Sequence, residues 1–169
     1  MLSHWNRRRL TTMICIVGVC STFGGFEAAA RSAAATTTSV AAEVVQLTNA
    51  ERGRSGRARL LANARLMRAA QLHAEQIARA GEMAHVLPNA AYPRAEDRLA
   101  AAGYDWQTFG ENLALGQPSP AEAVRSWMHS RGHRSNIVSP AFTELGVGYA
   151  TDRAGRPYYV QVFASPSSS

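Results

Sequence analysis

Residues 126 to 137 read S-W-M-H-S-R-G-H-R-S-N-I, with His129 and His133 four positions apart. On an unbroken helix that spacing stacks two imidazoles on one face, within reach of a single metal ion. Two features weaken the pairing. No Glu follows His129, so the zinc-protease pattern H-E-x-x-H is absent, and Gly132 between the histidines predicts a helix end. His129 also falls about 100° around the helix from Met128, away from the Val124 and Trp127 side, and reads as a surface residue. His73 shares an apolar stripe with Leu66, Ala70 and Ile77 and reads as a core histidine with a hydrogen-bond partner. Glu111 asks for more. In F-G-E-N-L-A-L-G, strand geometry sets it beside Phe109, Leu113 and Leu115, with Gly110, Asn112, Ala114 and Gly116 on the other face. A carboxylate among such neighbours requires a positive partner, a metal, a hydrogen-bond donor or a proton.

The elements that position these side chains follow from caps and periodicity. E-V-V-Q-L-T-N-A-E-R reads as a helix ending in the Gly53 to Gly56 region, and Asn63 caps a second helix that runs to Gly81. P-R-A-E-D-R-L-A-A-A-G reads as a short helix closed by Gly103. Ser119, Pro120 and Glu122 predict a capping box with proline at the first helical position, followed by a buried face of Val124, Trp127 and Met128. After Pro140, E-L-G-V-G-Y-A-T and P-Y-Y-V-Q-V-F-A read as two strands joined by D-R-A-G-R. The last strand is apolar on both parities except at Gln161, as expected of a strand covered on both faces. The fold class is therefore α+β, with a short antiparallel sheet layered between helices.

The N-terminus has a different plan. A basic stretch holding Arg7, Arg8 and Arg9 precedes a 17-residue mostly apolar run from Leu10 to Phe26, and small residues follow. That is the layout of a secretory signal peptide. Glycines interrupt the run, and it is shorter than the roughly 20 apolar residues of a membrane span. The expected organisation is a signal peptide over 1–30, cleaved after Ala30 or Ala35, a flexible low-complexity lead over 31–42, a folded domain over 43–164 and a flexible tail over 165–169. The mature chain would be secreted or periplasmic, with no stable transmembrane segment. Both cysteines, Cys15 and Cys20, lie in the leader, so thiol chemistry and disulfides are not expected of the mature protein. The formal charge of +6 falls to +4 once Arg7, Arg8, Arg9 and Glu27 are removed. No run of arginines interleaved with aromatics points to a nucleic-acid partner.

Four segments in register, G-E-N-L-A at 110–114, S-W-M-H-S-R-G-H-R-S-N-I at 126–137, F-T-E-L-G-V-G-Y at 142–149 and Y-V-Q-V-F at 159–163, resemble the CAP superfamily. These are the cysteine-rich secretory, antigen 5 and pathogenesis-related proteins, or SCP domains. The likeness is to their cysteine-free bacterial branch, spans Val44 to Phe163, and includes L-T-N-A-E-R near its start. It implies an α-β-α sandwich with a cleft built on two histidines and acidic residues. Carried over position by position, the cleft residues are His85 in E-M-A-H, Glu111 in G-E-N and His133 in G-H-R. Ser130 stands three after Trp127, where many members have a second glutamate. The resemblance thus implies His85, Glu111 and His133 as ligands of a divalent metal such as zinc, with affinity lowered by the serine, which offers a hydroxyl in place of a carboxylate. The P-N-A-A-Y-P stretch after His85 departs from the usual bacterial continuation.

The function this implies is a secreted binding module whose cleft takes a metal and a small apolar ligand, a lipid or a cell-envelope component. A metal-dependent hydrolase using the same cleft is the alternative from another class, and an envelope protein with a vestigial cleft is a third. A serine enzyme is disfavoured. Ser130 neighbours His133, but no G-x-S-x-G turn and no orienting Asp accompany them.

Overall fold

The computed structural model describes residues 23–168. Residues 1–22, which hold the basic stretch, most of the apolar run and both cysteines, lie outside it, as does Ser169. The expected signal peptide therefore falls mostly outside the described residues. The first element, α1 (Phe23–Arg54), continues without a break through residues 31–42, the stretch expected as a flexible lead. Alanine is the best helix former, so this exposed stretch can be helical on local terms, with the Thr36 and Thr38 hydroxyls bonded back to the carbonyls of Ser32 and Ala34. Burial begins only at Ala41 and Val44.

The elements that follow are β1 (Leu61–Ala62), α2 (Ala64–Ala80), α3 (Ala95–Ala101), β2 (Trp106–Leu115), α4 (Pro120–His129), α5 (Arg131–Ile137), β3 (Glu144–Thr151) and β4 (Pro157–Pro166). They form one four-stranded sheet in the order β1-β3-β4-β2. The three long strands are antiparallel as expected, while β1 adds a parallel pairing, Leu61 opposite Glu144, that makes the sheet mixed. Two residues carry no periodicity, so β1 was invisible in the sequence. The tail also begins later than expected. Ser165 and Pro166 belong to β4, and Ser165 is buried with its hydroxyl donating to the Ala141 carbonyl at 2.6 Å.

Helices cover both faces of the sheet. On one, Leu66, Ala70 and Ile77 of α2 and Leu99 of α3 pack on Leu113, Val160 and Val162. On the other, Val44 of α1, Val124 and Trp127 of α4 and Ile137 pack on Ala114, Val147 and Phe163. The alternation expected along β2 thus sorts its residues between two cores, and β4, between β3 and β2, is buried on both faces. The result is an α-β-α sandwich.

Caps explain the ends of α2. Asn63 Oδ1 accepts from the amides of Arg65 and Leu66 at 2.8 and 3.3 Å, and Gly81 closes the helix in the left-handed region at φ 69°. Asn63 also donates to Glu144, tying the cap to β3. Asn63→Ala should therefore lower stability by about 1–2 kcal/mol, read from urea unfolding; an unchanged midpoint would remove the cap from the account.

The quoted motifs serve the framework more than any cleft. In L-T-N-A-E-R, Asn49 clamps Leu60 through both its amide and carbonyl groups, and buried Arg52 donates to the carbonyls of Ala58, Ile137 and Ser139. Thr48 accepts from Gln161 at 2.7 Å, Gln161 accepts from Asn112 at 3.1 Å, and Asn112 accepts from Asn136 at 2.9 Å. The lone polar residue of β4 is thereby joined to α1, β2 and α5 in one buried chain of hydrogen bonds.

The helix break in S-R-G-H falls at Ser130, not at Gly132. Ser130 is extended (φ −94°, ψ 120°) between α4 and α5, whereas Gly132 lies inside α5. His129 and His133 consequently belong to different helices. At the start of α4, Ser119 accepts from the Glu122 amide as expected, but the Glu122 carboxylate turns to Arg125 and does not complete the box.

Candidate functional site

Glu111 lies in the middle of β2 with its side chain only 5% exposed, and the positive partner its setting demanded is present. Arg98 of α3, itself 1% exposed, donates Nη2 to Oε2 at 2.9 Å. The other carboxylate oxygen, Oε1, meets His85 Nδ1 at 2.8 Å. A carboxylate acceptor sets Nδ1 as the protonated nitrogen, which leaves Nε2 as the free edge of the ring. His85 comes from the loop between α2 and α3 and is 58% exposed, so it links the buried pair to solvent. Arg98 also donates to the carbonyls of His85, Tyr92 and Pro93, fixing the loop that carries the histidine.

His73 approaches the same carboxylate from α2, with Nε2 3.5 Å from Oε1. It is fully buried as expected of a core residue, and the Gln76 side chain lies near enough to favour its charged form, but neither ring nitrogen makes a hydrogen bond of good geometry. Glu111 is thus surrounded by His73, His85 and Arg98, drawn from α2, the following loop and α3.

The electrostatics follow from burial and proximity. Burial pushes the Glu111 carboxyl up, but the His85 bond and the nearby His73 and Arg98 outweigh it and hold the group below the usual range. The bond to Glu111 raises His85. Burial drives His73 down to about 4, against the pull of Glu111.

These shifts predict an acid-sensitive fold. Above about 6.5 His73 is neutral in both folded and unfolded chains; between there and about 4 only the unfolded chain takes up the proton. Stability is lost as pH falls through that window, by roughly 3 kcal/mol. Glu111 acts in the same direction at lower pH, its contribution present above the ordinary carboxylate value and lost as pH falls through its depressed one. His85 opposes them, contributing below its ordinary value and losing that contribution as pH rises through the raised one. Urea midpoints at neutral pH and near pH 4.5 should differ clearly in the native protein and less in His73→Leu; equal midpoints would contradict the assignment.

The other expected cleft residues are less closely gathered. His133 on α5 is half-buried, and burial followed by the charge of nearby His85 lowers its pKa. Its described role is through the backbone, where its carbonyl accepts from Asn112 at 3.1 Å. Ser130, at the start of α5, makes no side-chain cap bond. A cavity of about 400 Å³ opens beside the cluster, lined by His85, Val86, Arg94, Phe109 and Glu111 among others, and neither His133 nor Ser130 lines it. His129 is exposed at the surface, with Nδ1 on its own helix at the Arg125 carbonyl.

As arranged, the donors do not fit a zinc site. Glu111 binds a buried guanidinium through one oxygen and His85 through the other, and although His73 and His85 gather at it, no group of three His, Cys, Asp or Glu side chains is arranged to hold a metal among the described residues.

Sequence reasoning passed over Arg98, and it read His73 as a core histidine without its place beside the acid. Arg98 had a signal, because Ala95, Arg98, Leu99 and Ala102 recur at the i, i+3, i+4 and i+7 positions of a buried helical stripe. His73 had only its stripe, which reads the same for a core residue and for one touching a buried acid.

A family model described as CAP, the cysteine-rich secretory protein family, matches residues 45–163, more than half of the chain. An uncharacterized protein, YkwD, from Bacillus subtilis (strain 168) is 39% identical over 107 residues, covering 63% of this chain and 41% of its own. An uncharacterized membrane protein, YlbC, of the same organism is 32% identical over 121 residues, covering 72% of this chain and 33% of its own. Among solved structures, an extracellular protein containing a SCP domain from Bacillus anthracis str. Ames superposes with a TM-score of 0.69 at 26% identity, covering 76% of this chain and 41% of that one. This chain thus spans less than half the length of each of these relatives. No helix among the described residues is long and apolar enough to cross a membrane.

Proposed function

Because the chain belongs to the CAP family of cysteine-rich secretory proteins, we propose that it is an extracytoplasmic binding module that holds a small apolar or cell-envelope ligand at the His85 cleft. The observation that carries this reading is the division of labour around Glu111. The carboxylate is buried and holds a partner on each oxygen, while the half-exposed His85 it orients leaves a ring edge open to solvent. The cavity beside it adds Val86, Ala95 and Phe109 as apolar wall and Arg94 and Glu96 as polar rim. Such a mixture suits recognition of an apolar body with one polar end. His133 and Ser130 would act, on this reading, as neighbours of the cleft and not as its lining. Likeness to an extracellular protein and to a membrane protein fits a location outside the cytoplasm.

The test is capture of extracted envelope lipids and glycans by the purified protein, with bound species identified by mass spectrometry. His85→Ala should reduce capture by about tenfold, the value of one charge-assisted hydrogen bond, and His129→Ala should leave it unchanged. Undiminished capture by His85→Ala would move the ligand elsewhere. Zinc titration supplies the contrast. Absence of binding heat at neutral pH would remove the metal-dependent hydrolase, whereas heat that disappears in mild acid and in His85→Ala would keep it open, since zinc requires neutral imidazoles. Absence of both capture and heat would favour a structural envelope protein.

A further inference from the structure

At the edge of the sheet opposite β2, a groove of about 500 Å³ runs between the end of α1, β1 and the approach to β3. Arg52, Arg57 and Arg59 line it, with Leu61, Pro140 and Phe142 as its apolar part and no acidic residue in its walls. Arg52 is only 2% exposed. Its Nε and Nη1 donate to three carbonyls, no described acceptor meets Nη2, and none of the described ion pairs involves Arg52, Arg57 or Arg59. Glu144, opposite Leu61 in the strand register, has its carboxylate on Tyr104 and Asn63. A buried guanidinium with no carboxylate partner is costly, and burial together with the like charge of Arg57 lowers its pKa. An oxyanion seated between them would remove both penalties.

We infer that this groove binds a phosphoryl group carried on a small organic molecule or a lipid. Phosphate is favoured over carboxylate because its charge and three acceptor oxygens match several guanidinium groups at once. The organic part follows from the apolar wall, which includes Leu61 at 68% exposure. The site is separate from the His85 cleft, and its composition does not depend on what the cleft holds.

The experiment is a titration of the 15N-labelled protein with phenyl phosphate and, in parallel, benzoate. Phenyl phosphate should shift the amides of Gly56, Ala58 and Thr143, benzoate should bind more weakly, and His85→Ala should change neither result. Arg57→Ala/Arg59→Ala, which alters only exposed side chains, should weaken phenyl phosphate binding by about tenfold or more. Sedimentation with phosphatidylglycerol vesicles, competed by phenyl phosphate, would place the phosphate on a lipid; phenyl phosphate binding without sedimentation would place it on a soluble molecule. Undiminished binding in the double variant, equal affinity for benzoate, shifts confined to the His85 loop, or no shifts at all would overturn the inference.

Discussion

Gly148→Ala should destabilise the protein by roughly 3 kcal/mol or more, at or beyond the upper end of ordinary overpacking. A Cβ at this position would sit 2.2 Å from the Ala70 carbonyl oxygen and 2.3 Å from its carbon, and at Gly146 it would sit 2.1 Å from the Leu66 carbonyl carbon. The obstacles are backbone atoms of α2, not the flexible ends of side chains. To make room, the helix would have to lift from β3, and Leu66, Ala70, His73 and Ile77 would lift with it. The alternating glycines of E-L-G-V-G-Y therefore mark where a helix lies directly on a strand. Gly132→Ala in α5 provides the control. Nothing beyond its own turn of helix lies within 4 Å of its added Cβ, and alanine there should be neutral or stabilising by about 0.5–1 kcal/mol. Urea unfolding of the two variants side by side decides the matter, and similar midpoints would show that α2 and β3 are not in this close contact.

Breaking the buried ion pair should have the second large effect. Glu111→Ala leaves Arg98, at 1% exposure, without its anion, and His85 without the group that orients it. A loss of about 3–5 kcal/mol is expected for a stranded buried charge. Replacing both partners, as Glu111→Leu with Arg98→Met, should recover most of that loss, because the cost lies in the unpaired charge more than in the missing attraction. If Glu111→Ala alone is tolerated, the carboxylate is hydrated in solution and the cluster is looser than described. In Glu111→Ala the pKa of His85 should fall from its raised value, because the bond that raises it is gone, and NMR titration of its ring protons reads this directly.

Much of the framework was legible because its signals are local. Asn63 and Gly81 bracket α2, Ser119 and Pro120 open α4, and parity along β2 and β4 assigns each residue to a face. The features missed are those that a partner distant in sequence creates. β1 is a strand only because β3 lies beside it, and the break at Ser130 left no glycine or proline to mark it. At the site, the requirement for a cation near Glu111 could be read from its apolar neighbours, yet which arginine supplies it depends on how α3 settles on the sheet. The four family motifs were legible as a set, but packing accounts for most of their residues: Trp127 bonds the Leu113 carbonyl, and Asn112 and Asn136 bond one another.

The bonded chain from Thr48 through Gln161 and Asn112 to Asn136 also guards against misassembly. β2 is an edge strand, and a slip of one residue against β4 would turn each of its side chains to the opposite face. Asn112 would then lose its amide partners and Gln161 its donor, at about 1–3 kcal/mol for each stranded group. An all-apolar layer at this level would accept several alignments with little preference. Three amides and a hydroxyl accept one, so the strand that carries Glu111 is held in the single alignment that delivers the carboxylate to Arg98.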